Sequence, residues 1–431
     1  MSLRRLLAAE TLVLLLMLAT LVTSPFLMSQ EVSASGHSWS LSDPFAALLI
    51  VTLLLLLLVD RRLPRLVDRP LVISLVFGGI IVASGLGNDF NGPLLQQLRT
   101  WMVSTAFYFA GRYVFTHRGN RLWYLGSVLL LGAAIALLAT VQLHQAFGSA
   151  GQIKKTPFYG ALYSNQMGTC EVLLVLTAVS MFRTTRRWWY LSVIGVGALA
   201  ILMSLSRVAI LTLIIGVGIL TIWSRGSRLR YLLILGPFLL GVLLLPGYLQ
   251  AYFPHAYDLY AGKQSVFDEF VGTRTTTLNL VPIASALRRP LEEVLLGNAD
   301  GTNPFSMHSI WASTITMYGV IGALVLLLYH LALLRPALRG LSTGRGATAQ
   351  AGSAYLALIL VMMLSDYSTN LRFNMPFVAY VFCTLCGFFS GQLHLAVAAT
   401  GGRPRSAKDR PGTVAAPPSR WAPSVDPLVH P

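Results

Sequence analysis

His308 stands where a long polar loop gives way to an apolar helix, in the segment FSMHSIWASTITMYGVIGALVLLLYH over residues 305–330. An ordinary imidazole has a pKa of about 6.5, so it can accept or release a proton near neutral pH. At the mouth of a membrane helix it would be within reach of both water and a lipid-borne substrate. Such a histidine can also serve only as an interfacial hydrogen-bonding group. His308 is therefore a candidate general base. The residues that accompany it indicate whether it acts as a base or only as an interfacial hydrogen-bonding group.

Arg207 is the second candidate and lies at the junction between two apolar runs, in LMSLSRVAILTL over residues 202–213. A cation within a membrane segment is costly unless it is paired or functional. Its guanidinium could bind an anionic substrate group. Alternatively, it could extend to lipid phosphates or pair with an acid such as Glu171. The sequence leaves both roles open.

Arg274 is the third candidate and belongs to the segment VGTRT over residues 271–275, at the predicted head of a helix in the loop. Backbone N–H groups, hydroxyls and a guanidinium are together the parts of a phosphate site, and the alternative is a solvated loop arginine. Further basic residues that could widen a positive vestibule are Lys154, Lys155, Lys263, Arg288, Arg289 and Arg372. Asp366 could orient His308 or pair with Arg372, and we expect the structural pairing.

Membrane helices are needed to place these residues at a membrane surface. The composition of the chain predicts such helices. The 431 residues are 55% hydrophobic and 11% charged, with a mean hydropathy of +0.66. A membrane span needs ~20 apolar residues, and about twelve runs approach that length. These runs cover 6–23, 44–59, 70–87, 94–114, 121–141, 161–182, 188–205, 207–224, 230–248, 312–334, 352–370 and 375–397. We therefore expect an all-α, polytopic integral membrane protein with about twelve transmembrane helices.

The net charge of +16 follows the topology and does not indicate nucleic-acid binding. Arginines gather in every second loop between apolar runs, for example over 61–69, 183–187 and 335–345, and again in the tail. Positive residues accumulate on the cytoplasmic side of membrane proteins. The pattern predicts that both termini are cytoplasmic and that the three candidate residues face the opposite side.

Residues 1–398 form the predicted transmembrane domain, whose only long external segment is a loop over about 249–311. Apolar residues recur at helical intervals over 280–295. We therefore expect loop helices that lie against the membrane surface and end at Gly297 and Gly301. Residues 399–431 are rich in Pro, Ser, Arg and Ala, which predicts a disordered cytoplasmic tail.

Three sequence elements resemble those of the O-antigen ligases of lipopolysaccharide assembly. The family pattern His-[Asn/Ser/Gln]-x9-Gly-x-x-[Gly/Thr/Tyr] is matched in full by HS at 308–309 and GVIG at 319–322. The segment SLSRVA over 204–209 looks like the S-x-S-R-x-A element of the wider ligase and polymerase superfamily. GTR over 272–274 looks like its G-x-R element. The resemblance covers about residues 1–397.

The resemblance implies a ligase that transfers O-antigen polysaccharide from undecaprenyl pyrophosphate to a sugar hydroxyl of lipid A-core. The reaction would take place on the periplasmic side of the bacterial inner membrane. His308 would remove the proton of the acceptor hydroxyl, while Arg207 and Arg274 would neutralise the pyrophosphate. The expected partners are the undecaprenyl-pyrophosphate-linked O-antigen, the lipid A-core acceptor and membrane lipids, without nucleic acid.

We expect an inverting transfer that uses no metal ion and no other cofactor. Metal-dependent glycosyl transfer usually needs clustered carboxylates. The predicted outer loops hold scattered acids and adjacent pairs such as Asp268-Glu269, whose side chains would diverge by ~100° on a helix. The three cysteines, Cys170, Cys383 and Cys386, lie in predicted spans, where we expect them to pack.

Two related enzymes and one different class remain as alternatives. An O-antigen polymerase would use the same donor with a second lipid-linked glycan as acceptor, and a protein O-oligosaccharyltransferase would use protein hydroxyls. A transporter of lipid-linked glycans would also have many spans and external arginines. Against a transporter, the predicted helices carry few mid-membrane charges, and the sequence shows no paired halves with broken segments.

Overall fold

The part of the chain that the computed structural model describes consists of helices joined by short turns and contains no strand. The described residues are 3–24, 41–59, 67–87, 92–116, 121–147, 164–222, 228–254, 257, 280–298, 309–343, 346–369 and 376–401. The helices are α1 (Leu3–Thr23), α2 (Asp43–Val59), α3 (Arg69–Gly87), α4 (Gly92–Thr116), α5 (Arg121–Phe147), α6 (Ser164–Thr185), α7 (Trp189–Met203), α8 (Arg207–Ile222), α9 (Arg228–Tyr252), α10 (Val281–Leu287), α11 (Leu291–Leu296), α12 (Ile310–Thr343), α13 (Ala347–Thr369) and α14 (Pro376–Gly401).

The lengths and compositions of these helices are those of a multi-pass membrane protein. Within the described ranges, seven helices hold an apolar stretch long enough to cross a membrane: α3, α5, α6, α9, α12, α13 and α14. Shorter apolar stretches of 10–17 residues lie in α1, α2, α7 and α8. α4 belongs to neither group, and it carries the polar residues Gln96, Gln97 and Arg99 near its start. The all-α membrane fold is confirmed at this level, while the number of about twelve crossings stays a prediction.

Contacts at the two ends of α3 show how the long helices alternate in direction. Asp68, just before α3, forms an ion pair with Arg112 near the end of α4. Ser84, near the other end of α3, donates a hydrogen bond to the carbonyl oxygen of Met317 in α12. These two ends of the bundle are termed the Asp68 end and, after the residue that precedes α12, the Ser309 end.

Arg183, close to the end of α6, belongs to the Asp68 end. The amide of Gln350 is oriented so that both its oxygen and its nitrogen have hydrogen-bond partners. In this orientation Gln350 Oε1 accepts from Arg183 Nε at 3.0 Å and from Arg183 Nη2 at 3.2 Å. Gln350 lies at the start of α13, directly after α12, whose Arg335 and Arg339 line a cavity together with Asp68. Arginines from alternate loops therefore share one end of the bundle, as their distribution predicts.

α14 is a central helix, because the membrane-spanning stretch within it is 89% buried by the protein itself. It packs along α4, where Phe107 stacks on Tyr380 with ring centroids 4.9 Å apart. Further along both helices, Phe115 packs edge-on against Phe388 at 4.7 Å. Since both contacts advance in the same chain direction, α4 and α14 are parallel.

The loop predicted to contain helices does contain them. α10 and α11 pack against α12, and Pro290 separates the two because it stands at the N-cap of α11 and lacks a backbone N–H. Gly297 ends α11 with a φ of +80°, as predicted. Gly301 and the tail beyond Gly401 lie outside the described residues.

Candidate functional site

The predicted site residues fall into two groups with respect to the structure. The residues outside the described part of the chain are His308, Arg274, Lys154, Lys155, Lys263 and Arg372. The described group contains Arg207, Arg288, Arg289 and Asp366, together with Ser309, Gly319 and Gly322 of the histidine motif. These residues belong to or adjoin α8, α10, α12 and α13.

The SLSR segment forms a tight turn between α7 and α8. Ser204 Oγ donates to the carbonyl oxygen of Ile201 at 2.7 Å and accepts from the backbone N–H of Ser206 at 3.3 Å. Ser206 Oγ accepts from the N–H of Ala209 at 3.3 Å, which is the capping bond of a helix N-terminus. The two serines thus end one helix and begin the next, with Arg207 as the first residue of α8.

Packing against α6 holds this turn in place. A Cβ on Gly168 would lie 2.8 Å from Ser204 Oγ and 2.9 Å from Ala209 Cβ, so the turn lies directly on the first turns of α6. Ala209 is fully buried, whereas Arg207 is half-buried. The serines and the alanine of the S-x-S-R-x-A element therefore build the turn, and the arginine begins α8.

Ser309 caps the start of α12 and is completely buried. Its Oγ accepts from the N–H of Trp311 at 3.3 Å, and its carbonyl oxygen accepts from the N–H of Ser313 at 3.0 Å. Serine and asparagine are both good capping residues. Helix capping therefore accounts for the polar residue that follows His308 in the motif.

α12 is broken at Gly319, a feature that the sequence did not reveal. The backbone there has a φ of +64° and a ψ of −168°, a combination essentially restricted to glycine. Beyond the break, a Cβ on Gly322 would come within 2.4 Å of Tyr318 Cβ. Residues 310–318 therefore form a separate helical segment between the Ser309 cap and the break, and both motif glycines have a local structural cause.

Groups from other elements satisfy the backbone carbonyls that lie just before the break. The carbonyl oxygen of Thr316 accepts from the N–H of Asn298 at 3.0 Å. The carbonyl oxygen of Met317 accepts from Ser84 Oγ at 3.3 Å. The loop after α11 and the end of α3 are therefore both fastened to the broken helix.

Of the two arginines that follow α10, both of which are candidate vestibule residues, the structure gives a defined contact to the second. Arg288 is exposed. Arg289 Nη1 lies 3.5 Å from the carbonyl oxygen of Thr316, and Arg289 Nε lies 4.0 Å from Glu293 Oε2. The four-residue spacing to Glu293 was visible in the sequence. The contact with Thr316 was not, because it depends on the break in α12.

The first segment of α12 carries several buried polar side chains. Tyr318 donates a hydrogen bond to Gln97 Oε1, and Gln97 Nε2 lies 3.4 Å from Met317 Sδ. The hydroxyls of Thr314 and Thr316 are buried and have no hydrogen-bond partner among the described residues. Burial of polar groups is costly in an apolar bundle, and the first segment of α12 is one of the places where it occurs.

Asp366 is fully buried near the end of α13. α13 packs against α6, α8 and α12, so it connects the element that carries Arg207 with the one that begins at Ser309. Because α13 returns from the Asp68 end, Asp366 belongs to the Ser309 end. Its predicted partners, His308 and Arg372, lie outside the described residues, and the pairing stays a prediction.

An apolar groove of about 720 Å³ opens beside the α7–α8 turn. It lies between α5, α7 and α9, and five leucines contribute to its wall. The polar members are Thr140, His144, Gln145 and Tyr248. Met203, the residue directly before Ser204, is also part of the wall. The lining suits a hydrocarbon chain better than a compact polar molecule.

Within the described residues, no group of three or more His, Cys, Asp or Glu side chains could hold a metal ion. Because His308 and most of the 249–311 loop lie outside these residues, metal independence stays a prediction. Cys170, Cys383 and Cys386 are buried and form no disulfide, which agrees with the predicted packing role.

Fold and site together define an all-α, multi-pass membrane protein with a capped and broken helix at one end. No protein-family model matches the chain, and no curated protein matches it.

Proposed function

We propose that this protein is an O-antigen ligase, which transfers O-antigen polysaccharide from undecaprenyl pyrophosphate to a sugar hydroxyl of lipid A-core. The observation that carries the proposal is the break in α12. The ligase-like motif runs from His308 and Ser309 to Gly319 and Gly322, and its last three members provide the cap and the break of one short helical segment. The motif spacing therefore has a structural basis in this chain, which supports the family resemblance.

His308 is the proposed general base. The acceptor hydroxyl oxygen forms a bond to the anomeric carbon while the bond from that carbon to the pyrophosphate oxygen breaks. The imidazole takes the hydroxyl proton as the oxygen attacks. This single displacement inverts the anomeric configuration and leaves undecaprenyl pyrophosphate. His308 directly precedes Ser309 in the chain, and the buried cap at Ser309 fixes the start of α12.

Arg207 and Arg274 are the proposed ligands of the donor pyrophosphate. Each guanidinium can donate paired hydrogen bonds to phosphate oxygens, and this stabilises the negative charge that grows as the leaving group departs. Arg207 is the first residue of α8, where the helix dipole also favours an anion. The residues proposed to add positive charge around the site are Lys154, Lys155, Arg288 and Arg372. Asp366 keeps a structural pairing role.

The apolar groove beside the α7–α8 turn supports a lipid-linked donor. Met203 in its wall is followed directly by the turn that positions Arg207. A polyprenyl chain lying in the groove would therefore have its pyrophosphate close to this arginine. In this proposal the Ser309 end faces the periplasm, opposite to the arginine-rich loops, and the protein lies in the bacterial inner membrane.

The choice of acceptor tests the proposal. Purified full-length protein would be incubated with undecaprenyl-pyrophosphate-linked O-antigen and one of three acceptors: lipid A-core, a second lipid-linked glycan, or a Ser- and Thr-containing protein. We expect glycan on lipid A-core alone, detected by gel mobility and mass spectrometry. Longer lipid-linked glycan would favour a polymerase, and glycosylated protein would favour an O-oligosaccharyltransferase. Movement of the donor across proteoliposomes without transfer would favour a transporter. Each of these three results would overturn the ligase assignment.

A further inference from the structure

A basic cavity of about 730 Å³ lies at the Asp68 end, opposite the proposed ligase site. It opens where the start of α3, the end of α4, the second half of α12 and the end of α14 meet. Its charged and titratable lining consists of Arg69, Arg112, Arg335, Arg339, His394 and Asp68. Four arginines face one carboxylate, so the lining is positively charged.

The carboxylate of Asp68 is already engaged by groups at its own side of the cavity. Arg112 forms an ion pair with it, Tyr108 donates a hydrogen bond at 2.6 Å, and Ser390 Oγ donates at 3.3 Å. All three groups converge on the same oxygen, Oδ2. Asp68 therefore compensates chiefly Arg112, and it is the one carboxylate in the described lining of the cavity.

Arg335 and Arg339 are the two arginines that α12 contributes. They are four residues apart, so they lie on the same face of the helix, and both are exposed. Like charges at this spacing destabilise a helix. An anion bound by both guanidinium groups would replace that repulsion with charge-assisted hydrogen bonds.

A second hollow, of about 580 Å³, adjoins this cavity along α12. It shares Arg335 and Arg339 with the cavity, and the rest of its lining is largely apolar: Leu331, Leu334, Leu338, Leu341 and Ser342. Leu331 and Leu338 are each 51% exposed, as expected of side chains that face lipid. A ligand that occupies both hollows needs an anionic head beside the arginines and an apolar body along the leucines.

We propose that the two hollows bind one anionic glycerophospholipid. Its phosphodiester lies in the cavity against Arg335 and Arg339, and an acyl chain lies along the leucines of α12. Basic pockets between membrane helices on the cytoplasmic side suit acidic lipid headgroups, and the arginine distribution predicts that this end faces the cytoplasm. A free phosphate would use the cavity alone, whereas the apolar hollow beside the same two arginines favours a lipid. This site is independent of the proposed ligase activity.

The test measures lipid binding to the purified full-length protein in detergent, without donor or acceptor. Thermal unfolding and native mass spectrometry would compare dioleoyl phosphatidylglycerol, dioleoyl phosphatidylcholine and inorganic phosphate. We expect phosphatidylglycerol to raise Tm and to stay bound in the spectrometer. The zwitterionic choline lipid and inorganic phosphate should do neither. An equal response to inorganic phosphate, or to the choline lipid, would overturn the proposal.

The double variant Arg335→Gln with Arg339→Gln should bind phosphatidylglycerol at least about tenfold more weakly, which corresponds to about 1.4 kcal/mol. The control is Arg187→Gln, which removes an exposed arginine that lines neither hollow and should keep wild-type affinity. A second variant, Leu338→Trp, retains both arginines and narrows the apolar hollow, so it should also weaken lipid binding. Wild-type affinity in the double variant or in Leu338→Trp would overturn the proposal, whatever the outcome of the transfer assay.

Discussion

Gly297 and Gly319 meet backbone to backbone, although one ends a loop helix and the other breaks a membrane helix. A Cβ on Gly319 would lie 2.6 Å from Gly297 N and 2.3 Å from the carbonyl oxygen of Leu295. A Cβ on Gly297 would lie 2.3 Å from the carbonyl oxygen of Met317. Both glycines have a positive φ as well. Neither position accepts a side chain, so the contact between α11 and α12 requires glycine on both sides.

We expect Gly319→Ala to lower both the stability of the protein and its transfer activity. The alanine Cβ would overlap the Leu295 carbonyl, and the strained backbone alone costs about 1–3 kcal/mol for a residue with a side chain. Thermal unfolding in detergent and the lipid A-core transfer assay measure the two effects. Gly79→Ala in α3 is the control, because nothing lies within 4 Å of a Cβ there. A Tm equal to that of the wild type in Gly319→Ala would contradict the break.

We expect His308→Ala to abolish transfer while membrane insertion and thermal stability are retained. The imidazole is the proposed acceptor of the hydroxyl proton, and loss of a general base typically slows a reaction by about 10²–10⁴-fold. The measurement is transfer to lipid A-core by purified protein, with insertion checked by membrane fractionation. His430→Ala, in the predicted tail, should transfer at the wild-type rate. Near wild-type transfer by His308→Ala would exclude the general-base role.

We expect Arg207→Lys and Arg274→Lys each to reduce transfer by about 10²–10³-fold, the usual effect of losing one preorganised donor. Lysine keeps the charge but offers a point charge in place of the planar fork that holds two phosphate oxygens. Binding of undecaprenyl pyrophosphate should weaken in both variants, with little change in Tm. Arg187→Lys is the matched control at the opposite end of the bundle. Unchanged donor affinity in the alanine variants of both arginines would assign them structural roles instead.

We expect transfer to continue in the presence of EDTA without any added divalent ion. The basis is the scarcity of clustered carboxylates in the predicted outer loops. The assay should use a detergent-solubilised acceptor, because chelation also disturbs the packing of lipopolysaccharide. Loss of activity in EDTA that Mg²⁺ or Mn²⁺ restores would show that the transfer depends on a metal ion.

The positions of the helices could be predicted because apolar length and periodicity decide them. The predicted spans overlap α1 to α9 and α12 to α14, and the apolar spacing over 280–295 marks α10 and α11. The end of α12 was predicted at 334, yet the helix continues to Thr343. Backbone hydrogen bonds can extend a helix past the apolar run, through Arg335 and Arg339, where hydropathy gives no signal.

The break at Gly319 and the contact of Arg289 could not be predicted, because each depends on residues far apart in the sequence. An apolar run has the same appearance whether its helix is continuous or interrupted. The φ of Gly319 is set by contact with the end of α11. The capping roles of Ser206 and Ser309 were accessible in principle, since serine before an apolar run is a known start signal. The roles of His308 and Arg274 stay predictions.

The packing of α11 on α12 also determines which segments of this protein can be exchanged with those of another protein in a chimera. Asn298 donates its N–H to the carbonyl oxygen of Thr316, and Gly297 leaves no room for a differently shaped partner. A chimera that replaces only the loop helices could place a side chain at the position of Gly297, against the carbonyl of Met317, and would thereby shift the N–H that bonds Thr316. Residues 280–322 therefore have to be exchanged as one block, with crossover points before α10 and beyond Gly322.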